Sequence, residues 1–126
     1  MTMRNEGLTK TFNAGAAVTK CRIAKFGADE RTVIMSALAV DAHVGIVDNL
    51  TVASGDPVDV ILAGVATVEY GGTVTAGALL TADTSGRAIV ATASAAANVR
   101  VIGVAMVAGV VSDLGAVLIS AGSFQG

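Results

Sequence analysis

Residues 73–91 read TVTAGALLTADTSGRAIVA, in which two apolar runs stand on either side of the tetrapeptide DTSG at residues 83–86. Asp at the first position and Gly at the fourth are typical of a type I turn. The flanking runs are rich in Val, Leu, Ile and Thr, which suit strands. The stretch therefore predicts a β-hairpin whose second strand covers residues 87–91.

Outward from this hairpin, residues 60–119 are mostly Val, Ala, Gly, Leu, Ile and Thr, interrupted at short intervals by turn residues. Short strands that recur at spacings of about 8–12 residues indicate an all-β fold. Gly64 lies within a long apolar run and predicts a bulge or bend. The prediction is a mainly β protein, a small β-barrel or β-sandwich. We expect strands over residues 18–26, 31–40, 41–47, 73–80, 87–91, 99–107 and 114–119, and a pair of strands over residues 58–63 and 65–70 on either side of Gly64.

One stretch departs from this strand pattern. Residues 92–98, TASAAAN, are rich in Ala, begin with candidate Thr and Ser caps, and end at an Asn that could stop a helix. They predict one short helix near residues 92–98.

The composition limits how the fold can be stabilised. The chain has 126 residues, enough for one domain, and 53% of them are hydrophobic but only 3% are aromatic. Its core must be built from small side chains, each of which buries little area, at roughly 25 cal/mol per Å². We therefore expect a homo-oligomer, which buries more apolar surface.

The hydrophobic content does not indicate a membrane protein. The longest stretches without Asp, Glu, Lys or Arg are residues 70–82 and 114–126, each of 13 residues, whereas a spanning helix needs about 20. Residues 1–15 lack the pattern of a signal peptide. We expect synthesis in the cytoplasm and no membrane partner.

Charge is distributed unevenly along the chain. Residues 1–31 contain six basic and three acidic residues, a net charge of +3, and the remaining residues contain two basic and seven acidic residues, a net charge of −5. The basic front could contact an acidic surface. A sequence pI of about 5.1 and very few aromatic residues disfavour nucleic acid as a direct partner.

Residues 1–17 are predicted to form an extended N-terminal arm, and residues 18–126 a single β-rich domain. Alternation within the arm places Leu8, Lys10 and Phe12 on one face, which favours addition of the arm as a strand to a partner's sheet. The alternative is a frayed terminus. Deletion of residues 1–14 should leave a folded oligomer that no longer binds its partner.

Few residues could support catalysis. Asp41 and His43 would share one face of a strand, and Ser36 could complete a hydrolase triad. The alternative is a His that lies near an acid by chance, because no Ser stands in a G-x-S-x-G motif. We expect His43→Ala to leave the function intact, and we expect no catalytic residue.

Two other kinds of site that the sequence could form are a metal site and a reactive thiol. The single His, the single Cys and isolated acids have no spacing typical of a metal site, so we expect no metal and no cofactor. Cys21 lies between Lys20 and Arg22, whose charges could activate a thiol. The alternative is a small core residue.

Several motifs together resemble a known family. They are LTKTFNAGAA at residues 8–17, RIAKFG at 22–27, GDPVDV at 55–60, EYGGTVTAGALLTAD at 69–83, GRA at 86–88, ANVRVIG at 97–103 and DLGAVLI at 113–119. In these motifs and in the order of its elements, the chain resembles the capsid decoration, or cement, proteins of tailed bacteriophages.

The resemblance implies a role in the virion. It implies a small β-rich domain, commonly a trimer over three-fold positions on the outside of the expanded icosahedral head, with an N-terminal arm that reaches the major capsid protein. Such a protein would be made in the host cytoplasm and would bridge neighbouring capsid proteins against internal pressure. Alternation and charge then make Leu8, Lys10 and Phe12 candidate capsid-binding anchors, with Arg4 as a peripheral attraction.

Other classes of function stay open at this point. One is a small β-barrel hydrolase or ligand-binding module. Another is a structural component of a phage tail or spike.

Overall fold

The computed structural model describes residues 5–48, 50–92 and 98–125, and within them the chain folds into one continuous sheet of nine strands. The strands are β1 (Asn5–Ala14), β2 (Ile23–Phe26), β3 (Thr32–Met35), β4 (His43–Val47), β5 (Pro57–Glu69), β6 (Leu79–Ala82), β7 (Ala88–Val90), β8 (Asn98–Ala105) and β9 (Leu114–Gln125).

The first five strands form a small closed barrel. They follow the order β1-β3-β2-β4-β5, and antiparallel pairing of β1 with β5 closes the ring. Alternate residues point inward, as strand geometry requires. They form the barrel core, which consists of Phe12, Ala14, Val18, Ala24, Val33, Val47, Val52, Val58 and Val60. The barrel predicted from the strand spacing is confirmed.

The second half of the molecule grows from the same long strand. Beyond the barrel, β5 pairs with β9, and the order continues through β8 and β6 to β7. Gly64 lies where β5 passes from one half to the other, and its φ of +91° is a conformation that side chains disfavour. The irregularity predicted at Gly64 is present, but the pair of strands predicted on either side of it is wrong, because β5 is one continuous strand.

A second hydrophobic core lies between the two halves and is called here the sheet core. Ile23, Ile46 and Ile61 reach it from barrel strands, and Leu80 and Ile102 reach it from the other half. The outer wall of the barrel therefore packs against the second sheet.

The hairpin predicted around residues 83–86 is confirmed. β6 and β7 are antiparallel, with Thr81 opposite Ile89. The Asp83 carboxylate accepts the backbone N–H groups of Ser85 at 2.8 Å and Arg87 at 2.9 Å. Gly86 completes the turn with a φ of +77°.

The helix predicted near residues 92–98 is not supported. Residues 93–97 lie outside the described part of the chain, Thr92 has no regular structure, and Asn98 already begins β8. No helix occurs in residues 5–48, 50–92 or 98–125.

The extended N-terminal arm also needs correction. Residues 5–13 pair with β5 of the same chain, from Asn5 opposite Val65 to Asn13 opposite Pro57. Phe12 is 5% exposed and Ala14 is 3% exposed, so this segment contributes to the barrel core. The alternation predicted from the sequence is present, but it is satisfied within the molecule.

Candidate functional site

His43 lies in a polar pocket between two hydroxyl groups. Its Nδ1 atom is 2.9 Å from Ser36 Oγ, and its Nε2 atom is 3.3 Å from Thr81 Oγ1. Ser36 and Thr81 are buried, with exposures of 1% and 2%. The ring thus satisfies two buried hydroxyls that would otherwise lack side-chain partners.

Asp41, the third member of the considered triad, is engaged elsewhere. Its carboxylate accepts the N–H groups of Ala37 and Leu38 at 2.9 Å each and pairs with Lys25 Nζ at 3.1 Å. Burial acts to raise the pKa of Asp41, but these partners outweigh it and lower the pKa. The arrangement therefore lacks the acid that orients a catalytic His.

The electrostatics of His43 agree with a structural role. Burial is the main cause that lowers its pKa, to about 4, and the positive charge of Arg100 acts in the same direction. The nearby Asp41 charge opposes the shift but does not cancel it. At neutral pH the imidazole is uncharged and can accept one hydrogen bond and donate another.

The motif EYGG at residues 69–72 is structural. Glu69 pairs with Arg22 at 3.3 Å and Arg87 at 3.6 Å, which links the start of the barrel to the β6–β7 hairpin. The Tyr70 hydroxyl donates to the Val107 carbonyl oxygen at 2.8 Å, and burial raises the pKa of Tyr70. The ion pairs of Glu69 and the hydrogen bond of Tyr70 give these residues a structural role, and neither contact indicates a ligand.

The position of Cys21 agrees with the alternative that it is a small core residue. Its side chain is 3% exposed and lies in the hydrophobic core, and its backbone N–H donates to the Val47 carbonyl oxygen. A buried thiol in apolar surroundings is poorly placed for reaction.

The described residues contain no cluster of His, Cys, Asp and Glu that could hold a metal ion. Over the same part of the chain, no helix has the length and apolar character needed to cross a membrane.

The first candidate interaction surface is the outer side of the second sheet. Leu79 on β6, Val104 on β8, Leu118 on β9 and Val65 on β5 are successive cross-strand partners and form one row. Leu79 and Leu118 are 44% and 42% exposed, and Met106, 51% exposed, lies next to the row. These five residues are called the apolar face. Clustered exposed apolar residues are typical of interaction sites.

The second candidate surface lies beside β1. Lys10, Thr11, Phe12, Asn13 and Arg31 line a cleft of about 290 Å³, called here the edge cleft. Its lining includes two cations, Lys10 and Arg31, and the Thr11 hydroxyl in its wall donates to the Asp59 carboxylate at 2.6 Å. Lys10 Nζ lies 5.3 Å from the Phe12 ring centroid, a cation–π distance that holds the ammonium near the cleft.

The predicted anchor residues differ in how far their side chains are exposed to solvent. Leu8 is 56% exposed and Lys10 is exposed, whereas Phe12 lies in the barrel core and meets Phe26 edge to face at 6.2 Å. Arg4 lies outside the described residues. In this conformation Leu8 and Lys10 are exposed to solvent, and the Phe12 ring supports Lys10 from within.

Sequence reasoning missed the apolar face and the role of Arg31. The face combines four strands, so only their register brings its residues together. A usable signal was the uncharged run VIGVAMVAGVVS at residues 101–112, which ends with exposed apolar residues. No local signal linked Arg31 to Lys10, because the β1–β3 pairing is non-local.

The comparisons with known proteins concern nearly the whole chain. A family model described as phage cement protein matches residues 2–119. Among solved structures, the chain is similar to the N base of head fiber gp8.5 of bacteriophage phi29, with a TM-score of 0.65 and 19% identity. That match covers 94% of this chain and 98% of the other, and at this identity it shows the fold. No curated protein matches the chain.

Proposed function

Because the chain belongs to the phage cement protein family, we propose that it binds the outside of the expanded head, bridges neighbouring major capsid proteins and stabilises the shell. The family match over residues 2–119 carries the proposal. The absence of an assembled triad around His43 and the presence of two exposed interaction surfaces agree with a role in binding.

The proposed stabilisation works by mass action. A protein that binds only the assembled shell lowers the free energy of that state, by about 2.7 kcal/mol per site at a concentration 100 times Kd. Because the shell is symmetric, the same stabilising free energy is gained at every equivalent site. Many weak contacts are therefore sufficient to oppose internal pressure.

We assign the apolar face to contact between copies of the chain. Its central row contains Leu79, Val104, Leu118 and Val65 and no charged residue. Association of copies through this face would add the apolar burial that a core with few aromatic side chains lacks. A trimer seated over three-fold positions is the proposed assembly.

The capsid contact is assigned to a second part of the fold, around β1. Leu8 and Lys10 are exposed there, and Arg4 precedes them in the chain. Phe12 contributes through the barrel core and through its ring beneath Lys10. Residues 1–17 are therefore proposed as the part that faces the capsid, and residues 18–126 as the rest of the β-rich domain. The two segments differ in proposed function and are not separate folding units.

The head is preferred over the tail as the location. The family description concerns cement proteins, and the structural relative is the base of a head fiber. A hydrolase or ligand-binding module has less support, since Ser36 is 1% exposed and the Asp41 carboxylate is engaged by Lys25 and the Ala37 N–H.

The proposal is tested by mixing the purified protein with undecorated expanded shells and imaging them by electron microscopy. We expect density over the whole shell surface and greater resistance of the decorated shells to heat. Bare shells, or density at a single vertex, would contradict the proposal. His43→Ala, assayed in parallel, should still bind, whereas loss of binding by a folded His43→Ala protein would revive a site at His43.

A further inference from the structure

One side of β1 is only partly covered. On one side β1 pairs with β5 over residues 5–13, but on the other it pairs with β3 only at Asn13 and Ala14. In the described part of the chain, no other strand lies beside residues 5–12 on that second side. The barrel is therefore closed at one end of β1 and open at the other.

The hydrogen bonds at the closed end show which backbone groups face the open side. The Ala14 N–H donates toward β5, to the Asp56 carbonyl oxygen at 3.0 Å, whereas the Asn13 N–H donates to the Arg31 carbonyl oxygen at 2.8 Å. Because bonding alternates along an antiparallel strand, Thr11 and Thr9 direct their backbone groups to the same side as Asn13. These groups form a template for another strand.

The edge cleft lies along this open stretch. Lys10 and Arg31 supply two positive charges, and the buried Phe12 ring supports Lys10 from the barrel core. An extended peptide placed beside Thr9 and Thr11 would bring its own side chains to these groups. Backbone pairing would supply affinity, and the two cations would select a segment that carries a carboxylate.

We propose that the open side of β1 accepts an extended, carboxylate-bearing segment of the major capsid protein as an added strand. This inference rests on the proposed function and identifies the contact through which it would act. The protein then serves as the acceptor of a strand, in contrast to an arm that leaves its own body to join another sheet.

A second copy of this chain is a poorer occupant of the same edge. Two copies paired edge to edge about a two-fold axis would bring the Lys10 and Arg31 charges of both copies together, which is repulsive. The apolar face offers copies a surface without that cost.

Two substitutions separate the backbone contribution from the charge contribution. Thr9→Pro removes an N–H directed to the open side and leaves the Lys10 N–H available to β5, so it suits an edge strand. Arg31→Glu reverses one charge of the edge cleft. Lys20→Glu is the matched control, because it makes the same charge change at an exposed residue that does not line the cleft.

The experiment measures binding of each full-length protein to undecorated expanded shells by co-sedimentation, after thermal unfolding has shown that the variant is folded. We expect Thr9→Pro and Arg31→Glu each to weaken apparent affinity at least tenfold, and Lys20→Glu to change it less than threefold. Amide hydrogen exchange at Thr9 and Thr11 should slow on binding. Should Thr9→Pro not fold, Arg31→Glu and the exchange measurement carry the test.

The outcomes distinguish this inference from the proposed function. If the parent protein binds and both edge variants bind equally well, the inference is overturned and the proposed function stands. If the Thr9 and Thr11 amides are already protected in the protein without shells, another copy occupies the edge and the inference is also overturned. If the parent protein does not bind shells, that result contradicts both the proposed function and this inference.

Discussion

The ring of Tyr70 lies against the backbone of Gly115, with no room between them for a methyl group. Tyr70 is fully buried in the sheet core, and its hydroxyl is held by the Val107 carbonyl oxygen. The ring therefore cannot move aside without the loss of a buried hydrogen bond. The relationship fixes the start of β9 against the end of β5.

Gly115→Ala should accordingly destabilise the protein. Forcing a methyl group into a packed core costs about 1–3 kcal/mol, and we expect a loss in that range in the free energy of unfolding. Urea denaturation of the parent and the variant measures it. Gly72→Ala is the control, since an added Cβ there meets only Ile89 at an ordinary 3.8 Å. Equal stability of the two variants would contradict the packing described for Tyr70.

The pH dependence of stability should report on His43. Its pKa is about 4 in the folded protein and about 6.5 when unfolded, so the unfolded chain binds a proton first as pH falls. The contribution is complete above pH 6.5 and is lost as pH falls toward 4. The shift corresponds to about 3 kcal/mol, which we reduce to about 1–2 kcal/mol because the ring is partly exposed.

The measurement is urea denaturation at pH 7.5 and pH 4.5 for the parent protein and for His43→Gln. Gln keeps a polar side chain but does not titrate, so the variant should lose about 1–2 kcal/mol less than the parent over this interval. An equal loss in both proteins would show that other groups determine the pH dependence.

Deletion of residues 1–14 should damage the fold, contrary to the expectation drawn from an independent arm. The deletion removes β1 and leaves Val58, Val60 and Val33 of the barrel core without their neighbour. Circular dichroism during heating should show a midpoint lowered by more than 10 °C or no cooperative transition. Deletion of residues 1–4, which leaves β1 intact, is the control. A truncated protein as stable as this control would mean that β1 is dispensable to the barrel.

Leu118→Asp should weaken self-association. The substitution places a charge in the middle of the apolar face, beside Val104 and Val65, where burial of an unpaired carboxylate is unfavourable. Analytical ultracentrifugation should show a shift of the oligomer toward monomer. Leu50→Asp, at a residue that is 69% exposed and outside the face, should leave the oligomer unchanged. The assignment of the apolar face fails if both variants associate like the parent.

The sequence correctly predicted those features that are determined by residues close together along the chain. The turn at residues 83–86 follows from Asp83 and Gly86, and the bend at Gly64 follows from a glycine within a strand; both are present. The alternation of Leu8, Lys10 and Phe12 correctly indicated a strand. It could not identify the partner, because a strand that closes its own barrel has the same pattern as one that joins another molecule.

The candidate surfaces required information that no local pattern contains. Lys10 and Arg31 line one cleft because β1 pairs with β3, and Leu79 and Leu118 share a face through the register of β8 between them. The hydroxyls around His43 come from separate strands and loops for the same reason. Non-local register, more than composition, determines what these residues can bind.

The passage of β5 through both halves has a mechanical consequence. If the barrel faces the capsid as proposed, a force that draws it away from the second sheet would load β5 along its length, since Val60 lies in the barrel core and Val68 in the sheet core. The strand cannot yield unless its neighbours β1 and β9 slide against it, which requires many backbone bonds to break together. An outward push on the shell would thus be resisted by shear along one polypeptide segment.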